Sequence, residues 1–292
     1  FHYTTTVNNY LDADTYKIIR GDSDEDTEYF KSDFTSDEER ESYEAELCAQ
    51  VEAEGAALLK NNNNALPLAS GAKVSLFGHG SVDLMYGGTG SGSVDTSKAP
   101  NFKQALEDQG IQVNSTLWDL YSSDDMMKNY SRITPAAISD TLEANTQYAV
   151  NEAPWSKLSS AESSFADYGD AAIVVFSRSG GEGADLPSGE NGTNDSWIKG
   201  QEGDGNYLAL SAEEKELLQN LKTLKDNGTF KKIIVLINSS NAIEMDFLNP
   251  EICGEDYGID SAMWIGDVGQ TGINGVAQLL AGEATPSGSL VD

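Results

Sequence analysis

Apolar residues in this chain follow two recurring patterns. One is a short unbroken run: "KVSLFG" (73–78), "IQV" (111–113), "AAIVVFS" (171–177), "KKIIVLIN" (231–238) and "SAMWIG" (261–266). Their length and Val/Ile content fit strands, and the absence of polar alternation predicts strands covered on both faces, as in a mostly parallel sheet. The other pattern has helical spacing, in "APNFKQALEDQG" (99–110), "SAEEKELLQNLKTLKDNG" (211–228) and "INGVAQLLAG" (273–282). The second of these opens with a capping box, Ser211 with Glu214. Strands alternating with helices predict an α/β class, a layered sandwich whose mostly parallel central sheet is flanked by helices.

Two stretches fit this pattern less well. Residues 1–35 are acidic, aromatic and β-prone, and read as an extended N-terminal arm with no core of its own. "SDEE" then supplies a second capping box, Ser36 with Glu39, predicting a helix through about Leu59 with Leu47, Val51, Glu54 and Leu58 on one face. The stretch 114–168 is Ser/Asp-rich with weak periodicity and is expected to be a small insertion. The expected division is therefore an arm over 1–35 and a sandwich domain over 36–292.

Composition narrows the chemistry. Against 18 Lys and Arg stand 48 Asp and Glu, a formal charge of −30. Such a surface repels phosphate backbones, so nucleic acid is not an expected partner. No apolar run approaches the roughly 20 residues of a membrane helix. The chain begins with Phe1 and reads as a piece of a longer one, which leaves its compartment open. Cys48 and Cys253 lack metal-ligand spacing and are expected to be reduced, buried thiols. His2 and His79 are the two histidines, too few for a zinc site or a Ser-His-Asp triad. No metal or other cofactor is expected, and carboxylates must carry any acid–base chemistry.

In open α/β sheets, sites gather at the carboxyl ends of strands. Two glycine-rich loops lie there. "GHGSVDLMYGGTGSGSVD" (78–95) lacks the lysine of a phosphate-binding loop and a clean G-x-G-x-x-G. "SRSGGEGADLP" (177–187) presents a single glutamate, Glu182, surrounded by three glycines. A glutamate in a glycine loop is usually just solvated. Strand, glycine loop, carboxylate is also how a rigid element aims an acid into a cleft.

Taken together, these segments resemble the α/β sandwich domain of the family 3 glycoside hydrolases, the β-glucosidase and β-N-acetylglucosaminidase group. The resemblance runs from about Glu46 to Asp292, through "EAEGAALLKNNNNALPL", "KVSLFGHG" with "GGTGSG", "DAAIVVFSRSGGEGADL", "GDGNYLALSAEEKELLQNL" and "IGDVGQTGINGVAQLLAGEATPSGSLVD". It implies a retaining β-glycosidase, most simply a β-glucosidase. A (β/α)₈ barrel of the same parent chain supplies the nucleophilic aspartate, and the sandwich supplies the general acid/base. Glu182 falls on that acid/base. Ser91 falls on a loop serine that contacts the sugar in some members, and Asp204 on the aspartate of a "GDR" element.

This sequence departs from the family pattern in places. Gly205 stands where that element has arginine, and Ala184 where many members have tyrosine. A polar insertion over 187–203 carries Trp197, which reads equally as an aglycone platform and as a local packing anchor. A non-barrel arm ahead of the sandwich resembles the branch in which the barrel follows it. The implied substrate is an oligosaccharide or other β-glycoside, and the fragment by itself is expected to be inactive. Two other classes stay open: a carbohydrate-binding module that has lost the chemistry, and a structural domain in which Glu182 bridges to Arg178 at the surface.

Overall fold

The computed structural model describes residues 32–134, 148–182, 186 and 206–291. The chain divides into two units, Phe1–Ser42 and Tyr43–Asp292. In the second, six strands form one sheet: β1 (Ala57–Asn61), β2 (Lys73–Phe77), β3 (Gln112–Val113), β4 (Ala171–Arg178), β5 (Ile233–Ser239) and β6 (Ser261–Trp264). Their spatial order is β1-β6-β5-β4-β2-β3. Every pair is parallel except β1 with β6. The expected α/β sandwich is thus the observed one.

Every residue of β4 and β5 is buried. Strand pleating sends successive side chains to opposite faces. Ile173, Val175, Ile234 and Leu236 enter one core, while Ala172, Val174, Phe176, Val235 and Ile237 enter the other. That two-sided burial is why these strands show no polar alternation.

Seven α-helices, with short 3₁₀ turns between them, accompany the sheet among the described residues: α1 (Asp37–Gly55), α2 (Phe102–Asp108), α3 (Ser115–Tyr121), α4 (Asp124–Asn129), α5 (Ala212–Asp226), α6 (Pro250–Cys253) and α7 (Ile273–Ala281). The Ser211/Glu214 box at α5 is formed in both directions. At α1 only half of the expected box forms. Ser36 Oγ accepts from Glu39 N–H, but the Glu39 carboxylate accepts from the N–H and hydroxyl of Thr35.

Helix α1 also ends earlier than its pattern suggests and faces another way. It stops at Gly55, and Ala57–Asn61 pairs as an edge strand with β6. Leu47 and Val51 are exposed, by 42% and 62%, and Leu58 lies outward on β1. The buried residues of α1 are Ala49 and Ala53. A Cβ placed on Gly275 of α7 would stand 2.1 Å from the Ala49 carbonyl oxygen. The two helices pack so tightly that the contact admits glycine and alanine and has no room for leucine.

The described residues of the stretch 114–168 belong to the core and do not form an appended insertion. Asn114 caps α3 and Ser123 caps α4. Leu117, Tyr121, Met126, Leu158 and Phe165 pack in one cluster with Phe77, Val174 and Phe176 of the sheet. Short polar caps between one- and two-turn helices diluted the apolar period there. Most of the N-terminal arm, residues 1–31, lies outside the described residues.

One partly buried acid on α1, Glu52, makes a pH prediction. Burial, and then the charge of Asp267, push the Glu52 carboxyl from 4.5 to about 8. Its Oε1 is buried without a hydrogen-bond partner among the described residues. The folded state therefore retains a proton that the unfolded state releases. The associated stability is complete below about pH 4.5 and is lost as pH rises toward 8. Glu52→Gln should raise the melting temperature at pH 8 and flatten its fall between pH 5 and 8, measured by circular dichroism. An unchanged slope would contradict this.

Candidate active site

The carboxyl ends of β2 and β4 are adjacent because the two strands pair directly, with Phe77 opposite Val174. Past their ends the two loops pair again, through a parallel bridge between Thr89 and Gly181. Thr89 N–H donates to the Gly180 carbonyl at 3.2 Å, and Glu182 N–H donates to the Thr89 carbonyl at 3.4 Å. The Thr89 hydroxyl donates to the Glu182 carbonyl at 2.8 Å. Tyr207 Oη donates to the Ser179 carbonyl at 2.7 Å, and Tyr148 Oη to that of Gly181 at 3.3 Å. The four carbonyls from Ser179 to Glu182 are therefore all engaged. The glycine-rich loop is stitched down, not loose.

The glycines serve close approach. Gly181 has φ +142°, and a Cβ there would lie 2.6 Å from Thr89 N. A Cβ on Gly90 would lie 2.5 Å from both Cβ and Oε2 of Glu182. Only a bare backbone at position 90 lets the Glu182 side chain lie across the facing loop. In that position the exposed Glu182 carboxylate accepts at Oε2 from Ser91 N–H and Ser91 Oγ, each at 2.8 Å. First the main-chain donor and then the hydroxyl hold its carboxyl below the usual range.

Beneath the loop, Arg178 ends β4 fully buried. Its five N–H groups all have acceptors: Tyr207, Ser177 and Ala209 carbonyls and both oxygens of Glu214. Burial opposes its charge, but Glu214 more than offsets this and its pKa is raised. Arg178 is not a surface residue bridged to Glu182. It anchors the return of the chain at 207–214 under the site. His79 is likewise structural. Buried at the start of the first loop, its Nδ1 lies 2.9 Å from Glu152 Oε2, which also accepts from His79 N–H. Cys48 and Cys253 are free thiols, as expected, but partly exposed rather than buried.

Two of the four candidate site residues, Glu182 and Ser91, meet at hydrogen-bond distance. Asp204 and Trp197 lie outside the described residues, as do Ala184 and Gly205. Thr89, Tyr148 and Tyr207 were not singled out from the sequence. Their signal is tertiary: three hydroxyls from three separate segments converge on one loop. Among the described residues no group of three His, Cys, Asp or Glu side chains is placed to hold a metal, and no helix is long and apolar enough to cross a membrane.

Residues 56–291 match the family model described as the glycosyl hydrolase family 3 C-terminal domain. The chain belongs to glycoside hydrolase family 3. Within that family it is 30% identical over 250 residues to a β-glucosidase of Ruminococcus albus, covering 85% of this chain and 22% of the relative. A similar likeness, 30% over 264 residues, links it to β-glucosidase A of Butyrivibrio fibrisolvens, of which it covers 28%. Among solved structures, it superposes on a β-glucosidase from Paenibacillus barengoltzii with TM-score 0.63 and 29% identity, over 85% of this chain and 24% of that one. It also superposes on β-glucosidase 3B from Thermotoga neapolitana in complex with glucose, with TM-score 0.62 and 25% identity, over 86% of this chain and 31% of that one. The chain thus spans about a quarter of the length of these family 3 relatives. Both loops of the candidate site, and the candidates Ser91, Glu182, Trp197 and Asp204, fall inside the matched domain.

Proposed function

We propose that this domain supplies the general acid/base, Glu182, to a retaining β-glucosidase whose nucleophile stands on a (β/α)₈ barrel of the same parent chain. The observation that carries the reading is an exposed carboxylate at the end of a central strand, on a backbone fixed at four consecutive carbonyls. In the first step the barrel carboxylate attacks the anomeric carbon while Glu182 gives its proton to the departing glycosidic oxygen. In the second, Glu182 takes a proton from water as that water attacks the glycosyl-enzyme. The two carboxyl groups would stand about 5–5.5 Å apart across the domain interface.

The Ser91 contacts hold Glu182 as a carboxylate, which is the form the second step needs. Protonation for the first step is favoured once the partner domain brings a second negative charge and excludes water. By the family resemblance Ser91 and Asp204, and by its place in the polar insertion Trp197, are proposed to contribute to substrate binding. The implied substrate, a neutral β-glucoside, is compatible with a chain of net charge −30.

The reading predicts an inactive fragment. Purified residues 1–292 should not turn over aryl β-glucosides that the full-length protein hydrolyses, because one of two carboxylates is missing. A 2-deoxy-2-fluoro glucoside should label the full-length protein on a peptide outside residues 1–292, and proton NMR should show the β-anomer released first. A label on this chain, or an α-anomer as first product, would overturn the assignment.

A further inference from the structure

We infer that Ser91 is a positioning residue for Glu182: its main-chain N–H and hydroxyl hold Oε2 in place, so that the proton moved in both steps is carried on Oε1. This deepens, and rests on, the reading of Glu182 as acid/base. The resemblance alone gives Ser91 a different task, that of touching the sugar.

Three observations support it. Both Ser91 donors go to the same oxygen, each at 2.8 Å. Oε1 has no hydrogen-bond partner among the described residues. The loop carrying Ser91 is itself tied to the Glu182 loop through Thr89, whose carbonyl accepts from Glu182 N–H, whose hydroxyl donates to the Glu182 carbonyl and whose N–H donates to that of Gly180. Tyr148 Oη, whose one proton is shared between the Thr89 hydroxyl oxygen at 2.7 Å and the Gly181 carbonyl at 3.3 Å, braces that tie. Carboxylate and donor are thus mounted on one stitched unit, which fixes their separation.

The chemistry follows from the count of donors. A proton on Oε2 would face two N–H and O–H donors and displace at least one of them. A proton on Oε1 leaves both in place. The acid form therefore carries its proton on Oε1 and releases it to the leaving group from there, and the base form recovers it there from water. No other group need change partners, so the same carboxyl serves both steps without moving.

The test uses the full-length enzyme with an unactivated β-glucoside and reads kcat/KM against pH. The basic limb reports loss of the acid form in the free enzyme. Ser91→Ala removes one of two donors that favour the carboxylate, so the limb should move to higher pH, by about half to one unit for a solvent-exposed bond. Ser91→Thr keeps the hydroxyl and should return the limb toward its original position. A raised KM with the limb unmoved in Ser91→Ala would overturn the inference and leave Ser91 a sugar contact. Failure of the underlying reading shows separately. If Glu182→Gln retains the original basic limb, Glu182 is not the acid, and the inference falls with it.

Discussion

Glu182→Ala in the full-length enzyme should slow glycosides with poor leaving groups by about 10²–10⁴-fold, the usual contribution of a positioned acid/base. Dinitrophenyl glucosides should lose far less in the first step, because their leaving group departs without protonation. The second step still needs a base, so the variant should accumulate glycosyl-enzyme and show a burst with these activated substrates. Azide attacks without losing a proton. Added azide should therefore restore turnover and yield a β-glucosyl azide, identifiable by NMR. Equal slowing of all substrates with no azide product would reject Glu182 as the acid/base, and Glu190 or Glu202, the glutamates of the polar insertion over 187–203, would be tested next.

Arg178→Met should be the most damaging single change to stability. It strands the Glu214 carboxylate, fully buried, without its counter-charge. Removing one partner of a buried pair costs about 3–5 kcal/mol. For a domain of this size that is a fall of roughly 6–20 °C in the unfolding midpoint. The double variant Arg178→Met/Glu214→Gln removes the stranded charge while keeping an acceptor for Ser211 N–H, which now bonds Glu214 Oε2. It should recover a large part of the loss. If the double variant is no more stable than the single one, the pair's charge is not what matters, and the three carbonyls held by Arg178 are.

The sequence makes the sheet legible because β4 and β5 are apolar at every position, a signature that needs no neighbours to interpret. It misleads at α1, where leucine and valine point outward and alanine points in. The inward face there is set by the closeness of α7, which the sequence of α1 does not encode. It also hides the 114–168 segment, whose short capped helices bury one or two residues each. At the site, the two glycine loops and their carboxylate stand out in the sequence. The partners that fix them do not. Tyr148 and Tyr207 approach from segments far apart in the chain, and Arg178 looks like a charge at a strand end until its five acceptors are seen.

The small cluster beneath the candidate site has a consequence for how this domain can diversify. Tyr148, Val150 and Tyr207 form it, and Leu186 and Leu208 pack against it. The departure and return of the polar stretch between them are therefore moored to a common floor, with Arg178 gripping the carbonyls of Tyr207 and Ala209. Closing a longer stretch between fixed ends is inexpensive, about 0.6 kcal/mol for each doubling of length. A change in the length of the chain between Leu186 and Asn206 is therefore expected to cost little at these anchored ends. If the proposed assignment of Glu182 holds, a library confined to residues 187–205 should yield variants that keep the folding stability of the parent, measured by thermal unfolding.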